Sequence, residues 1–458
     1  MERELRRNSS NAADADEIPT WFWRVCSFEV ASTVSVIFKT SFLTGSIPDT
    51  WRKALVTPLE KCSIPTSISD FRPISVTPVL SRVMERIVVR EFLQPAVNHL
   101  VEGDQFAFRP TGSTTAALSY IMHKVTQHLE TCDYVRCVMI DFSKAFDVVD
   151  RTILLDKLNH LQLPPLLLVW ISGFLSERQQ AVRINHVTSS ILPCNLGVIQ
   201  GSVLGPTLFS VMISDLRPLS AKNSIPKYAD DASLLVPEGS DVDMATELNN
   251  VSEWALKNKL IINFNKTKEI VFRRPHPRKF LSPPPLPGIE RVLVARLLGV
   301  LISHDCSFRD HVTSVLTLCT QRMFLLKSYK NRGLSIYHLN IIFNAIILSV
   351  ILYALPAWGG FISIFDINRI NAVLKRCFKY GYSDHIYRFE ELLDLSDSRL
   401  FTKIQNIDHC MHFMLPPVKT NFMDLRPRNH NLTLPVVSKE LYKKSFLVRN
   451  LYQSLKHS

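Results

Sequence analysis

No C-x-x-C pair occurs among the nine cysteines, which stand at positions 26, 62, 132, 137, 194, 306, 319, 377 and 410. An odd, scattered set of this kind supports neither a zinc ribbon nor a disulfide framework, and it fits reduced thiols inside a cell. His409, Cys410 and His412 are too few and too crowded to make a zinc knuckle. The start of the chain, MERELRRNSSNAADADE, has no apolar core of a secretory signal. No internal repeat is present. Residues 333–365 contain no Asp, Glu, Lys or Arg, yet Asn340, Asn344, Ser349, Pro356 and Gly359-Gly360 interrupt them. The continuous apolar part, 341–355, is shorter than the ~20 residues a bilayer helix needs, so a buried core helix and no membrane partner are expected.

What is present describes a globular chain. At 458 residues and 52.3 kDa it exceeds what one core usually serves, which predicts two or three lobes. A composition of 46% hydrophobic, 21% charged and 9% aromatic residues excludes wholesale disorder, collagen and simple coiled coil. Lys plus Arg at 53 against Asp plus Glu at 41 leaves +12, an excess suited to a polyanion, either nucleic acid or an anionic membrane face. Residues 417–458 alone hold eight Lys/Arg and two Asp/Glu, a net +6.

The periodicity changes along the chain. Polar residues 1–20 precede a largely helical stretch, 21–42, that stops at Gly45. Pro48, Pro58, Pro65, Pro73 and Pro78 then punctuate extended pieces and turns. Thr114 or Thr115 is placed to cap a helix whose face is Leu118, Ile121, Met122, Val125 and Leu129. YVRCVMIDF, 134–142, reads as a buried strand ending in Asp141. Helix is expected at 152–161, 202–216 and 243–259, and extended chain at 189–199 and 260–272. IPKYADDASLLV, 225–236, reads as a hairpin about an acidic turn. The span RRPHPRKFLSPPPLPG, 273–288, is a Pro-rich basic loop at a lobe boundary. After a strand pair at 292–302 the pattern is helical only, with one stripe from Val312 to Leu326 and another at Ile367, Ile370, Leu374, Cys377 and Phe378.

Three carboxylates stand out by placement: Asp141 at a buried strand end, and Asp230-Asp231 at a hairpin tip. Burying acids costs several kcal/mol unless a cation compensates. Hard oxygen donors brought together select Mg²⁺, and two such ions about 4 Å apart promote in-line phosphoryl displacement. Strand-end and turn acids are also common caps and solvated residues, and composition alone leaves both readings open. Asp147 and Asp150 are read as caps for the helix beginning near Thr152.

The ordered motifs DFRPISVTPVLSRVMERIV, DQFAFRPTGSTTAAL, VMIDFSKAFDVVD, WISGFLSERQQAVRIN, LGVIQGSVLGPTLF, YADD and LLGVLIS resemble the reverse transcriptase domain of non-LTR (LINE-type) retrotransposons. The resemblance runs from about Phe42 to Ile302. It implies an α+β right-hand polymerase fold: an extension at 1–41, fingers and palm at 42–303, a helical thumb-like region at 304–400 and a basic tail at 401–458. It implies that Asp141, Asp230 and Asp231 hold two Mg²⁺ ions, with Mn²⁺ as a substitute. It places Lys61, Arg72, Phe142, Phe146, Gln200, Gly201 and Lys266 at the incoming nucleotide, Phe146 as a barrier to the 2′-hydroxyl, and Leu298-Gly299 as the primer grip. Lys268 is a near neighbour of Lys266 and competes for its role.

The implied partners are an RNA template, a DNA or RNA primer and dNTPs. The sequence departs from the family pattern at Ile199, where proline is usual, and at Thr111-Gly112, where a glycine-arginine pair is usual. Only about 40 residues precede the resemblance, where full-length elements commonly carry an endonuclease, so a truncated segment is expected. The competing readings are a catalytically decayed nucleic-acid binder and a group II intron or telomerase-type polymerase. No compartment signal is readable.

Overall fold

The computed structural model describes residues 1–7, 16, 18–100, 103–275, 280–419 and 431–453. Parts of the polar start, of the Pro-rich loop and of the basic tail therefore lie outside the described residues. The chain divides into two compact units. The first is Met1–Glu102, Phe142–Arg217 and Val251–Ile262; the second is Gly103–Asp141, Pro218–Asn250 and Asn263–Ser458.

In the first unit the helix Ser27–Thr44 ends at Gly45, whose φ of +67° is the left-handed stop that glycine adopts without penalty. A five-stranded sheet follows. Lys53–Glu60 runs antiparallel to Phe71–Val76 and parallel to Arg178–Ile184, which also pairs with Val187–Thr188 and Leu192–Cys194. The sequence shows only irregular extended pieces at 48–78 because prolines interrupt them. The register explains how strands form anyway: Pro58 stands directly opposite Pro73, so neither missing N–H is owed a partner in that pair. The helix Val79–Val88 and the helix Leu204–Met212 complete the part of this unit that carries candidate residues.

In the second unit a sheet has the order Glu290–Arg291, Lys268–Arg273, Tyr134–Ile140, Asp231–Pro237, Lys227–Tyr228. Tyr134–Ile140 is central and antiparallel to both neighbours. Its run of β-branched and apolar residues is legible because Val135, Cys137, Val138 and Ile140 are all buried. The helix Thr114–His128 packs in the same core through Leu118, Ile121, Met122 and Val125. Its cap is Ser113, one residue before the expected threonines; the Ser113 hydroxyl accepts from Ala116 N–H at 3.1 Å.

A hairpin, Val294–Leu297 with Val300–Ser303, leads among the described residues into helices, Arg309–Asn331, Ile364–Lys379 and Phe389–Ile404 among them, and one isolated antiparallel bridge, Val418 with Leu432. The stripe Val312, Val315, Leu316, Cys319, Met323 and Leu326 is buried throughout, whereas Phe378 at the end of the second stripe is exposed. The helical stretch Ile336–Phe361 is long and apolar enough to cross a membrane by length and composition. Half of it is buried within its own unit, with Leu339, Phe343, Ile347, Ile351, Leu355 and Trp358 turned inward. Mixed sheets with flanking helices make the chain an α+β protein.

Candidate active site

Asp141 follows directly on the buried strand Tyr134–Ile140. Its N–H donates to Thr267 Oγ1 at 3.3 Å and its carbonyl accepts from Asn263 N–H at 2.8 Å, so one turn, 263–267, grips the backbone on both sides of it. Lys266 belongs to that turn, its N–H donating to Asn263 O at 3.1 Å. Lys266 thus shares the turn that holds Asp141, while Lys268 is committed to an ion pair with Glu290.

Asp230 and Asp231 lie at the hairpin tip. Tyr228 pairs with Asp231, leaving Ala229 and Asp230 as the two-residue turn, with Ala229 at φ +58°. The buried Gln105 side chain clamps it, accepting from Ala229 N–H at 3.1 Å and donating to Ala229 O at 3.4 Å. Ile140 pairs with Ala232. One further step of that antiparallel register sets Asp141 across from Asp231, and residues directly opposite share a face.

The electrostatics follow. Burial first, then the Asp230 carboxylate, then that of Asp141, push the Asp231 carboxyl up to about 6, although its tip keeps an exposed surface. Among the described residues no three His, Cys, Asp or Glu side chains are drawn into a finished metal cage. The donor set nevertheless fits a hard divalent cation. Three carboxylates offer oxygen only, which suits Mg²⁺ or Mn²⁺ better than zinc, and a cation would relieve the repulsion that raises Asp231.

Leu298 and Gly299 form a two-residue turn with φ of +45° and +84°, the sign both central residues of a primed hairpin turn require. Leucine pays strain at that φ, and Tyr353 steadies the turn by donating its hydroxyl to Leu298 O at 2.8 Å. Leu298 and Asp231 line one small cavity together with Tyr228. Leu298 and Asp231 are therefore neighbours.

The other candidates belong to the first unit. Arg72 pairs with Leu59 in the ribbon of Lys53–Glu60 and Phe71–Val76, and Lys61 stands at the end of that ribbon. Both side chains are exposed; Lys61 Nζ donates to Ser69 O at 2.7 Å. Three residues past Arg72, Ser75 N–H donates to Gln200 O at 2.7 Å. Gly201 has φ +108°, and any Cβ there would overlap the Ser75 carbonyl, so only glycine allows this approach.

Phe146 stacks on the buried Phe209 with ring centroids 4.4 Å apart, and its carbonyl accepts from Val198 N–H at 2.8 Å. Arg72, Gln200, Gly201 and Phe146 thus share one hydrogen-bonded assembly. Phe142 does not present its ring to it: the side chain is buried edge-on to Trp254.

Four residues of consequence were not singled out by the sequence for these contacts. Asp147, read there as a cap, instead accepts from Gln200 Nε2 at 3.0 Å, whereas Asp150 does cap, accepting from Thr152 and Ile153 N–H. Burial holds the Asp147 carboxyl above its ordinary range against the opposing pull of the Gln200 hydrogen bond, Lys144 and Lys61. Arg151 donates to the carbonyls of Leu175, Cys194, Leu196 and Gly197, fixing the approach to Gln200. Glu85 is fully buried and accepts from Val203 and Leu204 N–H at 2.8 and 3.0 Å. Tyr353 holds the Leu298 turn. Asp147 had a signal in the AFD triplet. The rest had none, because their partners lie far away in sequence.

Residues 60–284 match the family model "Reverse transcriptase (RNA-dependent DNA polymerase)". That match covers just under half of the chain, and the fold around it is α+β. The chain is also similar to RNA-directed DNA polymerases of mobile elements. The chain is 28% identical over 349 residues to the RNA-directed DNA polymerase from mobile element jockey of Drosophila melanogaster, covering 71% of this chain and 37% of that protein.

It is 27% identical over 367 residues to the probable RNA-directed DNA polymerase from transposon BS of the same organism, covering 76% and 40%. It spans less than half the length of these curated relatives. A telomerase from Candida tropicalis, solved with a fragment of telomeric RNA, aligns at TM-score 0.44 and 12% identity over 83% of this chain and 62% of that one. The family uses divalent metal ions.

Proposed function

We propose that this chain is the RNA-directed DNA polymerase of a non-LTR retrotransposon, adding dNTPs to a primer 3′-hydroxyl opposite an RNA template. The observation that carries the reading is the register of the central strand, which sets Asp141 across from the Asp230-Asp231 turn and gathers three carboxylates on one edge of the sheet. Asp141, Asp230 and Asp231 would hold two Mg²⁺ ions, or Mn²⁺ in their place, and the ions would supply charge to activate the attacking hydroxyl and stabilise the leaving oxygen. The side chains do the rest. The turn 263–267 holds Asp141 in place and brings Lys266 up as a cation for the leaving pyrophosphate.

Lys61 and Arg72 offer fixed positive charge to the triphosphate, and the close backbone approach at Gln200-Gly201 receives the base pair being formed. Leu298 and Gly299 hold the primer end. The excess of +12 supplies affinity for template and primer backbones. Residues 42–303 act as fingers and palm, 304–400 as thumb and 401–458 as a basic tail, after an extension at 1–41. Primer extension on an RNA template with dNTPs and Mg²⁺ tests the reading. No product from a folded chain that binds the template would overturn it.

Phe146 has a separate test. Stacking on Phe209 fixes its ring, and a ring held there blocks a sugar 2′-hydroxyl. Phe146→Val is expected to lower the preference for dNTPs over rNTPs by at least roughly tenfold, read as the ratio of kcat/KM values. An unchanged ratio would remove Phe146 from the sugar pocket.

A further inference from the structure

Between the strands Lys268–Arg273 and Glu290–Arg291 the chain runs through the proline-rich segment 281–287. Pro283, Pro284, Pro285 and Pro287 each have φ fixed near the polyproline value by their rings. Ser282, Pro283, Pro284 and Leu286 each precede a proline and are held extended for that reason. Both restrictions favour a left-handed polyproline turn of three residues per repeat. Burial obeys that repeat. Pro283 and Leu286 are buried, while Ser282 and Pro285 form an exposed ridge and Leu281, Pro284 and Pro287 a second one, with Leu281 89% exposed. The segment then closes in a turn, with Gly288 at φ +72° and Ile289 N–H donating to Leu286 O.

A polyproline helix satisfies none of its own carbonyls, so something else must hold it in place. Here that is a two-arginine clamp. Arg291 donates to Pro283 O at 2.6 Å and to Pro284 O at 2.9 Å, and Arg136 donates to Pro284 O at 3.1 Å. Both guanidinium groups are set by the fully buried Glu269, which accepts from Arg136 Nε at 2.7 Å and from Arg291 Nε at 2.8 Å. Anchoring alone needs one ridge and would accept many residues on the other two. Instead, prolines occupy both outward ridges, held rigid in the extended form.

We propose that residues 281–287 are a docking ridge for a protein domain that reads polyproline through an aromatic-lined groove. Such grooves take two of the three faces of a polyproline helix, the number left open here, and they gain from a ligand already ordered. The sequence just ahead of the ridge, Arg278-Lys279, is basic, so a groove with an acidic rim is the better match. The partner is recognised by this chemistry and is separate from template and primer.

Purified domains of the SH3, WW and EVH1 types serve as probes, titrated against the full chain by fluorescence anisotropy. At least one is expected to bind with Kd below roughly 100 μM. A variant carrying Pro284→Ala and Pro287→Ala should bind that domain at least roughly tenfold more weakly, with its thermal midpoint and primer extension unchanged, because both residues are exposed. Failure of all three domain types to bind the full chain at about 1 mM, or equal binding by parent and variant, overturns the proposal.

Discussion

Asp231→Asn is expected to end primer extension while leaving the chain folded. The substitution is nearly isosteric and keeps the hairpin pairing of Tyr228 with residue 231. It removes one negative charge from a set of three, at a carboxyl that burial first and its two acidic neighbours second push up to about 6. Loss of a hard anionic ligand takes away several kcal/mol of charge stabilisation in the transition state, so the rate should fall by roughly a hundredfold or more. Metal-free stability should move the other way. The folded protein holds the Asp231 proton up to about pH 6, whereas the unfolded chain releases it near the ordinary value of 3.8.

The folded state therefore binds the extra proton between those limits, and stability falls as pH rises through that window. Asparagine cannot ionise, so the variant should lack this part of the decline. The metal-free variant should melt at or above the parent at neutral pH. Thermal melts at pH 4, 5, 6 and 7.5, run beside extension assays, check both halves. Extension within tenfold of the parent would take Asp231 out of the metal site. A lower melting midpoint at neutral pH would mean that its charge is already compensated.

Why the acidic site was legible and the rest of the machinery was not comes down to distance along the chain. Asp141 ends a strand whose every inward residue is apolar, and Asp230-Asp231 interrupts an apolar hairpin; each signal sits within a dozen residues of sequence. The same holds for the buried stripe from Val312 to Leu326. The ribbon carrying Arg72 was not legible, because its strands contain Pro58 and Pro73, and only their facing each other removes the penalty. Asp147 was misread as a cap for a local reason: it stands near the start of a helix, and the Gln200 amide that claims it lies 53 residues on. Arg151 looks like any helix-start cation until the loop 194–197 is seen folded around it. Long-range hydrogen bonds of this kind leave no period and no motif in one sequence.

Glu85 is the clearest case, and Glu85→Ala carries the largest stability loss expected in the first unit. The helix Leu204–Met212 begins three residues after Gly201 and has no side-chain cap of its own at Val203. Glu85, on another helix, supplies one from outside. Its carboxylate accepts from Val203 and Leu204 N–H, is steadied by Ser81 Oγ at 3.0 Å, and feels the charge of the buried Arg178 without an ion pair to it.

Burial holds this carboxyl above the ordinary range despite those hydrogen bonds and that cation, so the charge is costly but answered. Alanine would leave two N–H groups unmet and strip Arg178 of its counter-charge, a loss of about 3–5 kcal/mol. Because the affected turn is continuous with Gln200-Gly201, extension should fall with it. Glu85→Gln separates charge from shape. Its oxygen can still accept from Val203 and Leu204 while its amide donates to Ser81, so it should cost no more than about 1–2 kcal/mol and keep most activity. Urea melts and dNTP titrations on both variants decide the matter. An alanine variant as stable as the parent would show that Val203 and Leu204 find other acceptors. A glutamine variant as damaged as alanine would show that the negative charge of Glu85, rather than the cap, holds the turn.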